Sequence, residues 1–199
     1  METTPLEMRH QSDWGRILLA APSGKNKLSL DLLERLHEGL AAWRRDSDFR
    51  LVTLESTCPD LFAAGADMNE LLNLDRAKAR EYAALGQSVM RELETFPTPV
   101  VALVGGPCFG GGFDLALACA EIWATDNAVF CHPGAYLGII TGFGGTVRLP
   151  LRLPTRMARH MLLTGYRMGA EEAGCLGLVQ RRFPSRAAML KAAEARASA

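Results

Sequence analysis

The sequence has no excess of either charge, no paired cysteine motif and no long apolar run. Lysine and arginine together number 22, as do aspartate and glutamate, so charge gives no indication of nucleic acid or of an anionic membrane as a partner. The five cysteines form no C-x-x-C pair and the four histidines are scattered. This spacing argues against a metal site and favours a reduced, intracellular protein. We therefore expect no metal, no nucleic acid and no membrane partner.

The N-terminal segment METTPLEMRHQSDWGR is polar and lacks the apolar core of a signal peptide. No apolar run reaches transmembrane length, so the expected location is the cytoplasm. A chain of 199 residues with 48% hydrophobic composition is long enough for one domain with a substantial core.

Short apolar runs alternate with helical patterns along the chain. Strands are predicted at residues 16–21, 51–54, 100–104, 121–125 and 128–131. Helices are predicted at residues 30–45, 68–72, 76–95, 114–120, 156–163 and 187–197. This alternation indicates a mainly parallel α/β fold with ligands at the strand ends.

The segment VVALVGGPCFGGGFDLALACA, residues 100–120, combines a buried strand, five glycines in eight positions and a helical pattern. Glycines let the backbone turn sharply and approach a ligand, and the first N–H groups of the helix can face negative charge. A P-loop is excluded because Gly112 and Phe113 stand where Lys and Ser/Thr are required. The chain also lacks a G-x-S-x-G elbow. The residues alone leave a structural tight turn and a catalytic backbone cradle as equal alternatives.

Two side chains near this junction have alternative interpretations. Asp114 is either a helix cap or an acid/base group aimed at whatever the glycine amides hold. His132 is either a hydrogen-bonded structural histidine or a proton shuttle.

Four motifs in order resemble the crotonase family of enoyl-CoA hydratases and isomerases. They are FAAGAD at residues 62–67, GGGFDLA at 110–116, the glycine-rich segment 137–146, and LTG through GLV at 163–179. The resemblance covers most of the chain and implies an α/β fold with a crotonase-like ββα spiral core. We expect that core at residues 1–185, followed by a shortened C-terminal helix at 186–199, where family members usually continue with a longer helical segment.

The resemblance implies an acyl-CoA thioester as substrate, with coenzyme A as part of it and no separate cofactor. Backbone amides of Ala64 and Gly111 would form an oxyanion hole for the thioester oxygen, and Asp114 would be the catalytic acid/base. Predicted CoA contacts are Lys25, Leu28, Ala66, Asp67 and Met68. Predicted pocket-lining residues are His132, Gly134 and Thr141. A homo-oligomer, trimer or dimer of trimers, is also implied.

The sequence departs from the family at both acidic positions of the hydratases. Asp114 stands where they place one glutamate, and it is shorter by one C–C bond, roughly 1.5 Å. Gly134 stands at the second acidic position and has no side chain. A hydratase or isomerase is the first hypothesis, with a decarboxylase or a catalytically weakened acyl-CoA-binding protein as alternatives. A Clp-like serine peptidase is disfavoured because no Ser–His–Asp set falls at the glycine junction.

Overall fold

The computed structural model describes residues 5–46 and 48–199. Its strands are β1 Leu6–Gln11, β2 Trp14–Leu19, β3 Lys27–Leu28, β4 Leu51–Ser56, β5 Gly65–Ala66, β6 Val100–Val104, β7 Pro107–Phe109, β8 Glu121–Thr125, β9 Val129–Cys131, β10 Met168–Gly169 and β11 Arg181–Phe183. Its α-helices are α1 Leu30–Asp46, α2 Met68–Leu72, α3 Arg76–Glu94, α4 Gly111–Ala118, α5 Gly145–Arg152, α6 Thr155–Thr164, α7 Ala170–Cys175 and α8 Arg186–Ala197. A 3₁₀ turn spans Pro133–Leu137.

The main sheet has the strand order β1-β2-β4-β6-β8-β11. From β2 to β11 all neighbouring strands pair in parallel, and β1 is antiparallel to β2. Every residue of β4 and β6 is buried, as expected for central parallel strands covered on both faces. The predicted α/β class is confirmed.

Helices cover both faces of this sheet. On one face α1 and α3 bury apolar stripes that include Leu32, Leu36, Val89 and Leu93. On the other face Met189 and Ala193 of α8 pack with residues of β6, β8 and β11. The C-terminal helix α8 begins at Arg186, and the division of the chain at residue 186 stays a prediction.

Two small sheets position the glycine junction. β9 pairs in parallel with β7 and antiparallel with β10, and β3 pairs in parallel with β5. An isolated bridge joins Ala63 to Cys108. These pairings bring the FAAGAD turn beside the start of α4.

Several predicted boundaries differ from the structure. β1 was not predicted because it is largely exposed and shows no apolar run. Helix α5 was not predicted because it begins in a glycine cluster and contains Pro150, a residue that normally interrupts helices. Helix α4 begins at Gly111, three residues earlier than expected, because Gly110 (φ 52°) provides its N-cap position.

Within residues 5–46 and 48–199, no helix has the length and apolar character needed to cross a bilayer. In the same part of the chain, no group of three or more His, Cys, Asp or Glu side chains is arranged to hold a metal ion.

Candidate active site

The FAAGAD turn and the start of α4 approach each other closely because both are built on glycine. Gly65 has φ 94°, and a Cβ there would lie 2.9 Å from the Phe109 carbonyl oxygen and 3.3 Å from the Gly111 nitrogen. A Cβ on Gly112 would lie 2.5 Å from the Cβ of Ala63. Real side chains do not tolerate such distances, so glycine is required for these two backbones to form one cradle.

The amide assigned to Ala64 in the predicted oxyanion hole is already engaged. Its N–H donates to the Lys25 carbonyl at 3.1 Å, so the prediction for Ala64 is wrong. The nitrogen of Ala66 lies 3.6 Å from the point where a Cβ on Gly111 would stand. Gly65, with φ 94°, redirects the chain between Ala64 and Ala66. Ala66 is therefore the turn residue whose amide nitrogen lies beside Gly111.

The Gly111 N–H is the first of α4, so it has no carbonyl partner within the helix. It lies at the positive end of that helix, where negative charge is stabilised. Gly111 and Ala66 thus lie close together on two different segments and line the same cavity.

Asp114 lies on α4 with its side chain fully buried. The hydroxyl of Thr141 donates to its Oδ2, and the N–H of Phe143 also donates to the carboxylate. Its Oδ1 has no hydrogen-bond partner within the described residues. Burial raises the pKa of Asp114 to about 7, against the lowering effect of Thr141, Phe143 and the charge of Arg148. The capping interpretation is wrong, since Gly110 holds the N-cap position.

His132 follows β9, and its Nε2 lies 3.6 Å from Asp114 Oδ1, too far for a hydrogen bond. Neither ring nitrogen has a partner in the described part of the chain, so the hydrogen-bonded structural histidine is not what the structure contains. Its ring packs on Phe113, with 4.9 Å between centroids. Burial lowers the pKa of His132 to about 4, and the ring is therefore neutral at pH 7.

Glycines occupy two positions around this pair where a side chain would not fit. A Cβ on Gly145 would overlap Asp114 Oδ1. A Cβ on Gly134 would lie 2.5 Å from the Ile139 carbonyl oxygen, so the following loop closes over the position where hydratases have their second acid. The first residue of α5 thus packs directly against the buried carboxyl of Asp114.

A cavity of about 440 Å³ lies beside the cradle, and most of the predicted site residues line it. Asp114 lies directly behind two of the lining residues, His132 and Thr141. The predicted residues that line the cavity are Ala64, Ala66, Met68, Gly111, His132, Gly134 and Thr141.

The sequence matches the family model described as enoyl-CoA hydratase/isomerase over residues 10–198. The chain belongs to the enoyl-CoA hydratase/isomerase family. The resemblance to crotonases is therefore confirmed.

This enoyl-CoA hydratase/isomerase family member is similar to a crotonyl-CoA hydratase of Syntrophomonas wolfei, with 39% identity over 160 residues, 80% of this chain and 62% of that protein. A short-chain-enoyl-CoA hydratase of Clostridium acetobutylicum is 32% identical over 181 residues, 91% of this chain and 69% of that protein. The crystal structure of an enoyl-CoA hydratase from Bacillus anthracis matches with a TM-score of 0.91 and 32% identity, covering 98% of this chain and 77% of that one. The chain thus spans between 62% and 69% of the length of these two curated relatives.

Three predicted CoA contacts of this family member lie outside the main cavity. Lys25 and Asp67 line a separate cavity of about 300 Å³ together with Lys27, whose Nζ lies 3.2 Å from Asp67 Oδ1. The Leu28 side chain is wholly buried in the core, so contact of Leu28 with CoA stays a prediction that would involve its backbone. Its carbonyl accepts a hydrogen bond from the Tyr82 hydroxyl at 2.5 Å.

Sequence analysis missed several cavity residues on α3 and on the loop before α5. Tyr82, Ile139 and Phe143 line the cavity. Tyr82 stands in none of the four motifs, whereas Ile139 and Phe143 lie in the glycine-rich segment 137–146 at positions to which the resemblance assigned no role. The glycine cluster at 138–145 marked the loop, although nothing in the sequence indicated which side chains point inward.

Proposed function

We propose that this family member acts on acyl-CoA thioesters as a hydratase/isomerase-type enzyme whose cradle stabilises a thioester enolate. When the α-carbon loses a proton, the C–H electron pair moves into the thioester and places negative charge on the carbonyl oxygen. Amides held in position before the reaction stabilise that charge without reorganisation. We assign this role to the N–H groups of Gly111 and Ala66, because the two nitrogens border the same space.

We assign the transfer of the substrate's α-proton to Asp114 together with His132. Asp114 has no exposed surface, whereas His132 lines the cavity and brings Nε2 to 3.6 Å from Asp114 Oδ1. With the pKa of Asp114 at about 7, the carboxyl is half protonated near neutral pH and can accept or release a proton with little cost. In isomerisation, the proton taken from one carbon returns to another carbon of the same enolate.

The observation that carries this proposal is the buried carboxyl beside the cradle, with one oxygen unbonded and a pKa near 7. Buried ionisable groups with such shifts are common at catalytic sites. Most buried side-chain polar atoms have a hydrogen-bond partner, so an unbonded Oδ1 distinguishes Asp114 from an ordinary structural carboxyl.

The test is turnover of a panel of enoyl-, dienoyl- and malonyl-type CoA thioesters by wild type and Asp114→Asn. We expect the variant to lose about 100-fold or more of kcat on the best substrate, as is usual for a lost proton-transfer group. Asp126→Asn is the matched control, since Asp126 forms a surface ion pair with Arg182. Equal, poor turnover by wild type and Asp114→Asn alongside tight CoA binding would instead support a non-catalytic acyl-CoA-binding protein.

That alternative, a binding protein, has one specific observation in its favour. Gly134 supplies no second acid, and the Ile139 carbonyl closes the space around it.

The missing second acid also bears on which reaction an enzyme could catalyse. Hydration needs a group to activate water in addition to the proton donor, whereas isomerisation and decarboxylation need only one proton-transfer unit beside the enolate. The malonyl arm of the panel therefore decides between decarboxylation and isomerisation.

We assign the CoA moiety to the turn at Ala66–Met68 and to the neighbouring cavity that holds Lys25 and Lys27. Lysine ammonium groups are common phosphate ligands. Lys25 has no ion-pair partner among the described residues, whereas Lys27 is paired with Asp67. Lys25 is therefore the better candidate for a CoA phosphate.

We also propose that the protein self-associates, as the family resemblance implies. Large apolar side chains are exposed on adjoining elements, on the 3₁₀ turn, α5 and α6. They are Tyr136, Leu137, Val147, Leu151 and Leu163. Exposed apolar clusters of this kind are typical of protein interfaces.

A further inference from the structure

Residues 141–143 form a wall between two cavities. On one side lies the cavity of about 440 Å³ beside the cradle. On the other lies a cavity of about 480 Å³ lined by residues of α3 and α5. Thr141, Gly142 and Phe143 line both.

This wall is anchored from its outer side. Gln87 Nε2 donates to the Gly142 carbonyl at 2.9 Å, and Arg148 Nη1 donates to the Phe143 carbonyl at 3.1 Å. Arg148 is itself held by Glu94 at 3.0 Å. Side chains from two helices thus hold the backbone of the wall in place, so the Phe143 ring has a defined position.

The ring of Phe143 fills the gap between α3 and the cradle. A Cβ on Gly86 of α3 would overlap it, and a Cβ on Gly111 would lie 3.1 Å from it. The Tyr82 ring packs beside it with 5.2 Å between centroids. The ring is therefore wedged between two glycines, one of which belongs to the cradle itself.

We propose that Phe143 determines the size of the acyl group that the pocket accepts and restricts it to short chains. The inference rests on the proposed function, because it places the thioester at Gly111. An acyl chain that leaves Gly111 toward α3 meets the Phe143 ring at once, and the space behind the ring is the second cavity. Removing the ring joins the two cavities and provides room for additional methylenes.

The test is the affinity of saturated butyryl-, hexanoyl- and octanoyl-CoA and of free CoA, measured by isothermal titration calorimetry. In Phe143→Ala we expect the octanoyl-to-butyryl affinity ratio to rise by about tenfold or more, since each buried methylene contributes about fourfold. Phe143→Leu, which keeps more of the packing, should give a smaller rise. In Gly86→Ala/Phe143→Ala the new Cβ enters the vacated space, so the ratio should fall back toward the wild-type value.

Phe183→Ala is the matched control, because Phe183 is a buried aromatic residue that stacks on Trp123 away from the cavity. It should leave the ratio unchanged. Circular dichroism of each variant checks folding. The inference is overturned if wild type already gains affinity with each added methylene, or if folded Phe143→Ala and Phe143→Leu keep the wild-type ratio. Binding of butyryl-CoA by wild type would in that case leave the proposed function intact, whereas failure to bind any thioester or free CoA would remove both.

Discussion

At the scale of single residues, burial acts on Asp114 and His132 in opposite directions. It raises the pKa of the carboxyl to about 7 and lowers that of the imidazole to about 4, because removal from water disfavours whichever form is charged. At neutral pH the two groups are therefore not a fixed ion pair. A half-protonated Asp114 faces a neutral ring near pH 7, which is a suitable state for a pair that exchanges protons with a substrate.

Substitution of Thr141 should change the pKa of Asp114. The Thr141 hydroxyl donates to Asp114 Oδ2 and lowers the pKa of the carboxyl. In Thr141→Val the ionised form loses that hydrogen bond, so the pKa should rise above about 7. If Asp114 acts as the base, its ionised form is needed. The acidic limb of the pH profile of kcat/KM should therefore move to higher pH. Activity then falls at pH 7 and recovers in more alkaline buffer.

The matched control for this profile is Thr146→Val. Thr146 lines the neighbouring cavity but makes no hydrogen bond to Asp114. Its pH profile should coincide with that of wild type. An unshifted limb in Thr141→Val would mean that another group than Asp114 controls the rate.

The residues of the site were only partly predictable from sequence. Gly111, His132 and Thr141 line the cavity as expected, because the motifs place Gly111 and His132 at a helix start and a strand end, and Thr141 in the glycine-rich loop before α5. Ala64 was the wrong amide, since the direction of an N–H depends on local φ and ψ angles that a motif does not specify. Phe143 was missed because its role follows from contact with Gly86, which lies 57 residues earlier in the sequence.

At the scale of elements, the cradle depends on turns at Gly65 and Gly110, whose positive φ angles favour glycine. Gly65 combines φ 94° with a Cβ position 2.9 Å from the Phe109 carbonyl oxygen. Gly65→Ala should therefore lower the free energy of unfolding by about 1–3 kcal/mol, measured by urea denaturation. Gly105→Ala is the comparison, because no atom lies within 4 Å of a Cβ there, and it should change stability by about 0.5 kcal/mol or less. Equal stability of both variants would show that the turn is not constrained as described.

Elements with strong local signals were predicted well, and those formed by tertiary pairing were not. Helices α1 and α3 follow from caps and apolar stripes, with Ser29 Oγ accepting from the Leu32 N–H at 3.2 Å and Asp75 Oδ1 accepting from the Lys78 N–H at 2.8 Å. Strand β1 is held by its antiparallel pairing with β2, and α5 forms despite Pro150. Such elements depend on partners distant in sequence, so a short local pattern does not reveal them.

At the scale of the whole molecule, the sheet separates a closed face from a functional one. α8 covers one face with a small apolar cluster around Trp123. On the opposite side, α3, α4 and α5 surround the cradle and the buried carboxyl of Asp114. The exposed apolar side chains of α5 and α6 lie on this functional side, so self-association there would build its interface next to the cavity.

This arrangement predicts that an interface mutation changes the assembly state while the fold persists. Val147 and Leu151 lie four residues apart on α5 and are 65% and 80% exposed, so they share one helix face. Val147→Asp/Leu151→Asp would place two carboxylates in an apolar interface without disturbing the core. We expect light scattering after size exclusion to show an oligomer for wild type, a trimer or a dimer of trimers, and a monomer for the double variant. Leu72→Asp, at an equally exposed position (79%) on α2, should keep the wild-type mass. A monomeric wild type, or an unchanged mass in the double variant, would contradict an interface on α5.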